Sequence, residues 1–357
     1  MKQLNDKVNE LLHNIKPASK DWEEKAWQRL KSQIRPRGSL GQLEIIAARL
    51  AAIKKTLAPD LGKKLIFTMA GDHGVASEGV SAYPQEVTAQ MVYSFTQGWA
   101  SINVLAGHVG ADVKVVDCGV AVDLPPDWPI LHRKLAKGTA NMAEGPAMSR
   151  EMAIRGLLLG AELLQQAHAK EKYQLFGTGD MGIANTTPST AIIAVLSGKP
   201  VAALTGRGTG INDEGLTRKI SVVERALAVN QPDPKDPLDV LSKVGGFEIA
   251  GLAGAVLGAA AAGAPVVCDG FIATAGALIA CKMAPAAKDY LFVSHRSQEI
   301  GHGTMVEMLE LRPILDLDMR LGEGTGSALA MNILEASAKV LKEIKTFQEA
   351  GVTDVES

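Results

Sequence analysis

The chain is short of several things, and each shortage closes a class of function. Its 357 residues include only three cysteines, Cys118, Cys268 and Cys281, with no CxxC pair. An odd count without paired spacing argues against a disulfide framework. The net charge is −2, charged residues make up 21%, and no basic block stands out. Nucleic-acid binding through a broad electrostatic patch is therefore not expected. The amino terminus, Met1-Lys2-Gln3-Leu4-Asn5-Asp6, lacks the apolar core of a signal peptide. The most apolar stretch, 249–267, is full of Ala and Gly with no Leu-rich span. It predicts a buried helix followed by a strand, not a membrane crossing. These absences predict a cytoplasmic protein with no membrane span and no nucleic-acid partner.

Missing motifs narrow the chemistry further. His73 and His295 invite a metal reading, with Asp72, Asp269 and Asp318 in the same set of turns, but no HxxxH or HExxH spacing supports a metal site. Ser294-His295-Arg296-Ser297 lacks the GxSxG pattern of a nucleophile elbow. GxxxxGK[ST] is absent too, which disfavours a nucleoside-triphosphatase.

Glycine, by contrast, is plentiful at 36 residues, and it clusters in turns after apolar runs. Short apolar runs at 65–69, 113–117, 174–176, 201–204, 265–268, 290–293 and 314–317 read as strands covered on both faces. Helical patterns separate them at 150–168, 188–196, 214–229 and 271–283. Such alternation predicts a doubly wound, mainly parallel α/β sheet. Residues 1–60 carry helical spacing only, with Asp21 as the expected cap of a helix over 22–34. A long last helix from 327 to about 350 would pack on them. The expected division is a small helical domain, 1–60 with 327–357, and a large α/β domain, 61–326.

Seven polar or Gly-rich turns follow the strands and would converge on their carboxyl edge, where ligands bind in open α/β sheets. Two of them suit a phosphate. Gly177-Thr178-Gly179-Asp180-Met181-Gly182 spells GxGxxG, yet the next apolar run ends in Leu204-Thr205 and lacks the acidic residue a dinucleotide needs. This leaves a nucleotide-dependent oxidoreductase poorly supported. Gly206-Arg207-Gly208-Thr209-Gly210 is the second loop, and Arg207 and Lys219 could bring positive charge to a monoester. In the last turn Glu323 stands between Gly322 and Gly324, before a helix. It is either a general base against a substrate or merely an acidic residue in a capping loop. A non-catalytic nucleotide-binding protein would keep the phosphate loops and have no use for Glu323.

Five motifs together resemble one family. Gly71-Asp72-His73-Gly74-Val75, the stretch Thr178-Gly179-Asp180-Met181-Gly182-Ile183-Ala184-Asn185-Thr186-Thr187, Thr205-Gly206-Arg207-Gly208-Thr209-Gly210, Ser294-His295-Arg296-Ser297 and Leu321-Gly322-Glu323-Gly324-Thr325-Gly326 are similar to those of nicotinate-nucleotide–dimethylbenzimidazole phosphoribosyltransferases. So is Gly38-Ser39-Leu40-Gly41-Gln42-Leu43-Glu44, and the resemblance spans nearly the whole chain. It implies transfer of phosphoribose from nicotinate mononucleotide to a benzimidazole for cobamide lower-ligand assembly, by a homodimer using no cofactor and no metal. It makes Glu323 the base, and it sets Gly179, Asp180, Gly182, Gly206, Arg207, Gly208, Gly210, Lys219, Asp269 and Ser297 around the nucleotide. Tyr83, Met91 and Leu321 would line the base pocket. Tyr83 and Met91 depart from the smaller or more polar residues expected there, which puts the preferred base in question.

Overall fold

A computed structural model describes residues 1–354; the last three residues of the expected 327–357 segment lie outside the described residues. Helices α1 (Lys2–Asn14), α2 (Lys20–Lys31) and α3 (Gln42–Lys54) precede strand β1 (Lys63–Gly71). Helices α4 (Val87–Thr96) and α5 (Ser101–His108) lead to β2 (Ala111–Gly119) and the short β3 (Leu131–His132). Helix α6 (Arg150–Glu171) leads to β4 (Tyr173–Met181). Four helices follow: α7 (Thr186–Ser197), α8 (Asp213–Asn230), α9 (Pro237–Val244) and α10 (Phe247–Ala262). The chain closes with β5 (Val266–Cys268), α11 (Phe271–Met283), β6 (Leu291–Val293), α12 (Ile300–Leu309), α13 (Thr325–Glu343) and α14 (Phe347–Ala350).

All six strands are parallel, in the order β3-β2-β1-β4-β5-β6. This is the doubly wound arrangement, with its switch point between β1 and β4. Eight of the nine β1 residues are buried because helices cover both faces, which explains its unbroken apolar run. Helix α10 is buried along nearly its whole length. It touches α6 so closely that a Cβ on Gly254 would lie 1.9 Å from the Leu157 carbonyl oxygen. The Ala/Gly stretch is thus a helix made thin enough for the interior.

Several expectations need correction. Residues 201–204 form no strand: Val201–Ala203 is a 3₁₀ turn. Val201 and Leu204 are buried while Ala202 and Ala203 are exposed. Burial three residues apart is the period of that helix, not of a strand. Residues 314–317 make only an isolated parallel bridge, His295 to Leu315: Ile314 and Leu315 are half-buried against the core, while Asp316 and Leu317 are exposed. Helix α2 begins at Lys20 with Ser19 as its cap, and Asp21 sits within the first turn. Strand β4 extends well past residue 176 and carries Gly177, Thr178, Gly179 and Asp180 inside the sheet, paired with β1. The GxGxxG letters are therefore mostly strand. No glycine-rich loop opens a helix there, and the dinucleotide reading fails on geometry.

The last helical run breaks as well. Helix α13 ends at Glu343, and Ile344 is extended. Thr346 then bridges Gln33, and its side chain caps α14. Leu341 packs with Ala26, Leu30, Ala47, Ala48 and Ala51 in a separate small core. The Gln33 amide donates to the Val340 carbonyl at 2.7 Å, and the Arg29 guanidinium to the Leu341 carbonyl at 2.9 Å.

Candidate active site

A cavity of about 330 Å³ opens at the carboxyl ends of β4, β5 and β6, beginning at the switch point. Asp180 and Gly182 come to it from β4 and its turn, Ser297 from the turn after β6, Gly208 from the loop before α8, and Leu321 with Gly322 from the last turn. Tyr83, exposed by 56%, stands at its rim. Met91 is half-buried and packs against the core instead.

The last turn is built under strain. Gly322, Glu323 and Gly324 all have positive φ, at 90°, 64° and 102°. Glycine takes this conformation freely; for a glutamate it costs on the order of 1 kcal/mol or more. Surrounding bonds hold Glu323 there. Its N–H donates to the Asp180 carbonyl at 3.1 Å, and its own carbonyl accepts from the Thr68 hydroxyl at 2.8 Å. A Cβ on Gly179 would lie 2.3 Å from that carbonyl oxygen, so only glycine in β4 lets the turn lie so close. The Glu323 carboxylate turns to the start of α5, where Oε2 accepts from the Ile102 N–H at 3.1 Å. Burial raises its pKa, and the Ile102 donor opposes the rise. Poised this way, the group is a better proton acceptor than a surface glutamate.

Asp269 clamps the same turn from below. Oδ2 accepts from Gly324 N–H at 2.8 Å, while Oδ1 accepts from Gly326 at 2.8 Å and from Ser327 at 3.3 Å. Burial pushes its pKa up to about 7 against those three donors. With both oxygens committed to backbone, Asp269 is off the cavity wall and supports the loop that presents Glu323. Asp180 is on the wall. Its Oδ2 accepts from the Asn185 amide at 2.9 Å, and Oδ1 is buried without a partner. Burial, with the charges of Asp269 and Glu248 adding to it, raises its pKa well above the carboxylate range.

Lys219 is fully buried in α8, beneath Thr186 and Gly208 of the cavity wall. Its ammonium donates to the Thr186 hydroxyl at 2.7 Å and to the Gly206 carbonyl at 3.3 Å. Burial lowers its pKa to about 8, with Glu299 opposing. A Cβ on Gly206 would lie 2.0 Å from Glu299 Oε2, so that glycine admits the carboxylate. Arg207 is not brought to the site. Its guanidinium pairs with Asp213 and donates to the Ile211 carbonyl at 2.9 Å, stapling the start of α8. Gly210 is also off the wall.

Two buried carboxylates on or beside the site, Glu299 and Glu248, were not read from the sequence, and His295 and His73 were weighed there as metal ligands. Glu299 and His295 line the cavity with unpartnered atoms, Oε2 and Nε2. Behind Gly182, His73 Nε2 meets Glu248 Oε1 at 2.8 Å, both fully enclosed. Burial alone would lower the His73 pKa, but the Glu248 carboxylate outweighs it and the net direction is up. Glu248 did leave a signal: it is the only charged residue between Lys243 and Asp269.

The fold and site define a doubly wound α/β protein with a ligand cavity at its switch point, walled by buried carboxylates and underlain by a buried lysine. Comparison with known proteins narrows this class. A family model described as a phosphoribosyltransferase matches residues 15–352. A nicotinate-nucleotide–dimethylbenzimidazole phosphoribosyltransferase of Syntrophobacter fumaroxidans is 75% identical over 349 residues, 98% of this chain and 99% of that one. Its namesake from Geobacter sulfurreducens is 56% identical over 97% of this chain and 98% of its own. A crystal structure of the Thermus thermophilus protein of that name superposes with a TM-score of 0.89 at 47% identity, covering 94% of this chain and 99% of that one. The chain belongs to the nicotinate-nucleotide–dimethylbenzimidazole phosphoribosyltransferase family. Among the described residues no helix is long and apolar enough to cross a membrane.

Proposed function

We propose that this protein transfers the phosphoribosyl group of nicotinate mononucleotide to 5,6-dimethylbenzimidazole or a related base, giving α-ribazole 5′-phosphate and nicotinate for cobamide assembly. The observation that carries the reading is Glu323: a buried carboxylate fixed in a strained turn, next in the chain to Leu321 and Gly322 of the cavity wall though not itself on that wall. In the transfer, the ribosyl carbon leaves a pyridinium nitrogen, which departs as a neutral ring and needs little acid help. The incoming benzimidazole nitrogen attacks from the opposite face and must lose its N–H proton, which Glu323 accepts. Inversion converts a β-nucleotide into an α-ribotide. No pyrophosphate leaves, so the chemistry requires no Mg²⁺ to neutralise one.

Lys219, under the Gly206–Gly208 loop, supplies charge toward the monoester, and Asp180 and Ser297 face the nucleotide. Tyr83 and Leu321 lie against the base. We further infer a homodimer acting in the cytoplasm, in keeping with three free thiols. The packing of α2, α3 and the end of α13 around their own core supports a small domain made from both chain ends. Incubation with nicotinate mononucleotide and 5,6-dimethylbenzimidazole should release nicotinate at a rate that Glu323→Gln abolishes or nearly abolishes. No release by the wild type would refute the assignment. Competition among benzimidazoles should give a mixed product, since one methyl group in an apolar pocket is worth only about 1–3 kcal/mol.

A further inference from the structure

We propose that His295 recognises a ribose hydroxyl of the nucleotide, accepting its hydrogen bond at Nε2 and so selecting ribo- over deoxyribonucleotides. The proposal rests on the phosphoribosyl-transfer reading above and assigns a specificity-determining residue within it. His295 is 1% exposed, lies on the cavity wall, and its Nε2 is buried without any partner. A buried polar atom left unpaired is costly, and one on the wall of a ligand cavity is accounted for by a group the ligand brings.

The hydrogen bonds around the ring decide what that group must be. The Ser294 hydroxyl has one proton, and it donates to the Asp269 carbonyl at 3.1 Å. With that proton directed at the carbonyl, the same oxygen, 2.8 Å from His295 Nδ1, accepts from the ring, which assigns the ring proton to Nδ1. The Asp269 carboxylate, 3.8 Å from Nδ1, favours the same tautomer. Nε2, buried in the cavity wall, then carries a bare lone pair. Burial lowers the His295 pKa to about 4, so the ring stays neutral near pH 7. A neutral acceptor gains nothing from a phosphate or a nicotinate carboxylate, since both are acceptors themselves. Among the groups of a nicotinate nucleotide, only the ribose hydroxyls donate. The same wall carries another unpartnered acceptor, Glu299 Oε2, which suits a ligand face that brings O–H donors.

The test compares nicotinate mononucleotide with its 2′-deoxy and 3′-deoxy analogues, 5,6-dimethylbenzimidazole being the acceptor. The wild type should use one of the two analogues with a kcat/KM lower by about tenfold or more. His295→Ala should lose a similar factor on the parent nucleotide and then treat that analogue and the parent alike. His295→Gln, whose amide oxygen can reach the Nε2 position, should keep part of the preference. Equilibrium binding of the same nucleotides reads the same ratio without turnover, and it carries the test on the wild type and the Gln variant if His295→Ala does not fold. The proposal is overturned if the wild type handles both analogues within about twofold of the parent, or if His295→Ala keeps the full ratio. An equal loss on all three nucleotides in His295→Ala would also overturn it, because it would mean that the lone pair serves the base N–H. Absence of wild-type turnover with the parent nucleotide, with the binding preference intact, would refute the transfer reading and leave the His295 assignment standing.

Discussion

Asp269→Asn separates what holds the Glu323 turn in place from what holds the protein together. In the folded chain the Asp269 carboxyl has its pKa raised from 3.8 to about 7 by burial, against three N–H donors. A folded pKa above the unfolded one means that ionising the group costs stability as pH rises through this range. The penalty is absent below about pH 4 and complete above about pH 7, where three pH units amount to roughly 4 kcal/mol. Asparagine escapes that cost. It keeps one accepting oxygen, however, in place of the two that meet Gly324, Gly326 and Ser327. Its oxygen should turn to the Gly326 and Ser327 pair, leaving an NH₂ facing the Gly324 N–H from 2.8 Å. Losing that charge-assisted bond costs about 1.5–3 kcal/mol, with opposite sign to the gain. The two effects nearly cancel, so thermal melts near pH 7 should shift by only a few degrees. The variant should gain on the wild type as pH rises from 5 to 8. Catalysis has no such compensation. Two facing donors push Gly324 away, and Glu323 moves with it; a displacement of about 1 Å at a reacting group can cost about 100-fold. Nicotinate-release kinetics beside melts at pH 5 and pH 8 read both quantities. Turnover within about twofold of wild type would refute the clamp.

Glu323→Gln keeps an acceptor for the Ile102 N–H but cannot take a proton, so turnover should fall by about two to four orders of magnitude with nucleotide binding intact. Because burial raises the Glu323 pKa, the acid limb of the wild-type kcat/KM profile should lie above 4.5, and a limb at or below that value would count against it as the base. Lys219, with a pKa of about 8, should lose its charge as pH rises through that value, so nicotinate mononucleotide should bind more weakly above it. Lys219→Ala should weaken the nucleotide more than the uncharged base, and titration calorimetry showing equal losses would point to a folding defect. Gly179→Ala sets a methyl 2.3 Å from the Glu323 carbonyl, so the variant should be inactive and melt lower; a fully active protein would show that the turn can move aside freely.

The fold class was legible because parallel strands buried on both faces announce themselves as short apolar runs, and β1, β5 and β6 follow that rule, as does β2 from Val115 onward. The same signal misled at 201–204, where an apolar run buries every third residue against a surface turn. The glycine-rich turns pointed to the carboxyl edge, since a ligand site there needs close backbone approach, and Asp180, Gly182, Gly208, Ser297 and Leu321 do meet at one cavity. Other properties depended on partners that only the folded chain brings into place. The sequence marked Gly179 as part of a loop, whereas it is a strand residue kept small by the Glu323 turn, 144 positions on from it. Asp269 and Arg207 looked like ligand groups, and they became a clamp and a staple once folding brought them N–H donors and a carboxylate. The lone pair on His295 was invisible in the chain, because a tautomer is set by where its neighbours' protons go, and those neighbours are assembled only in three dimensions.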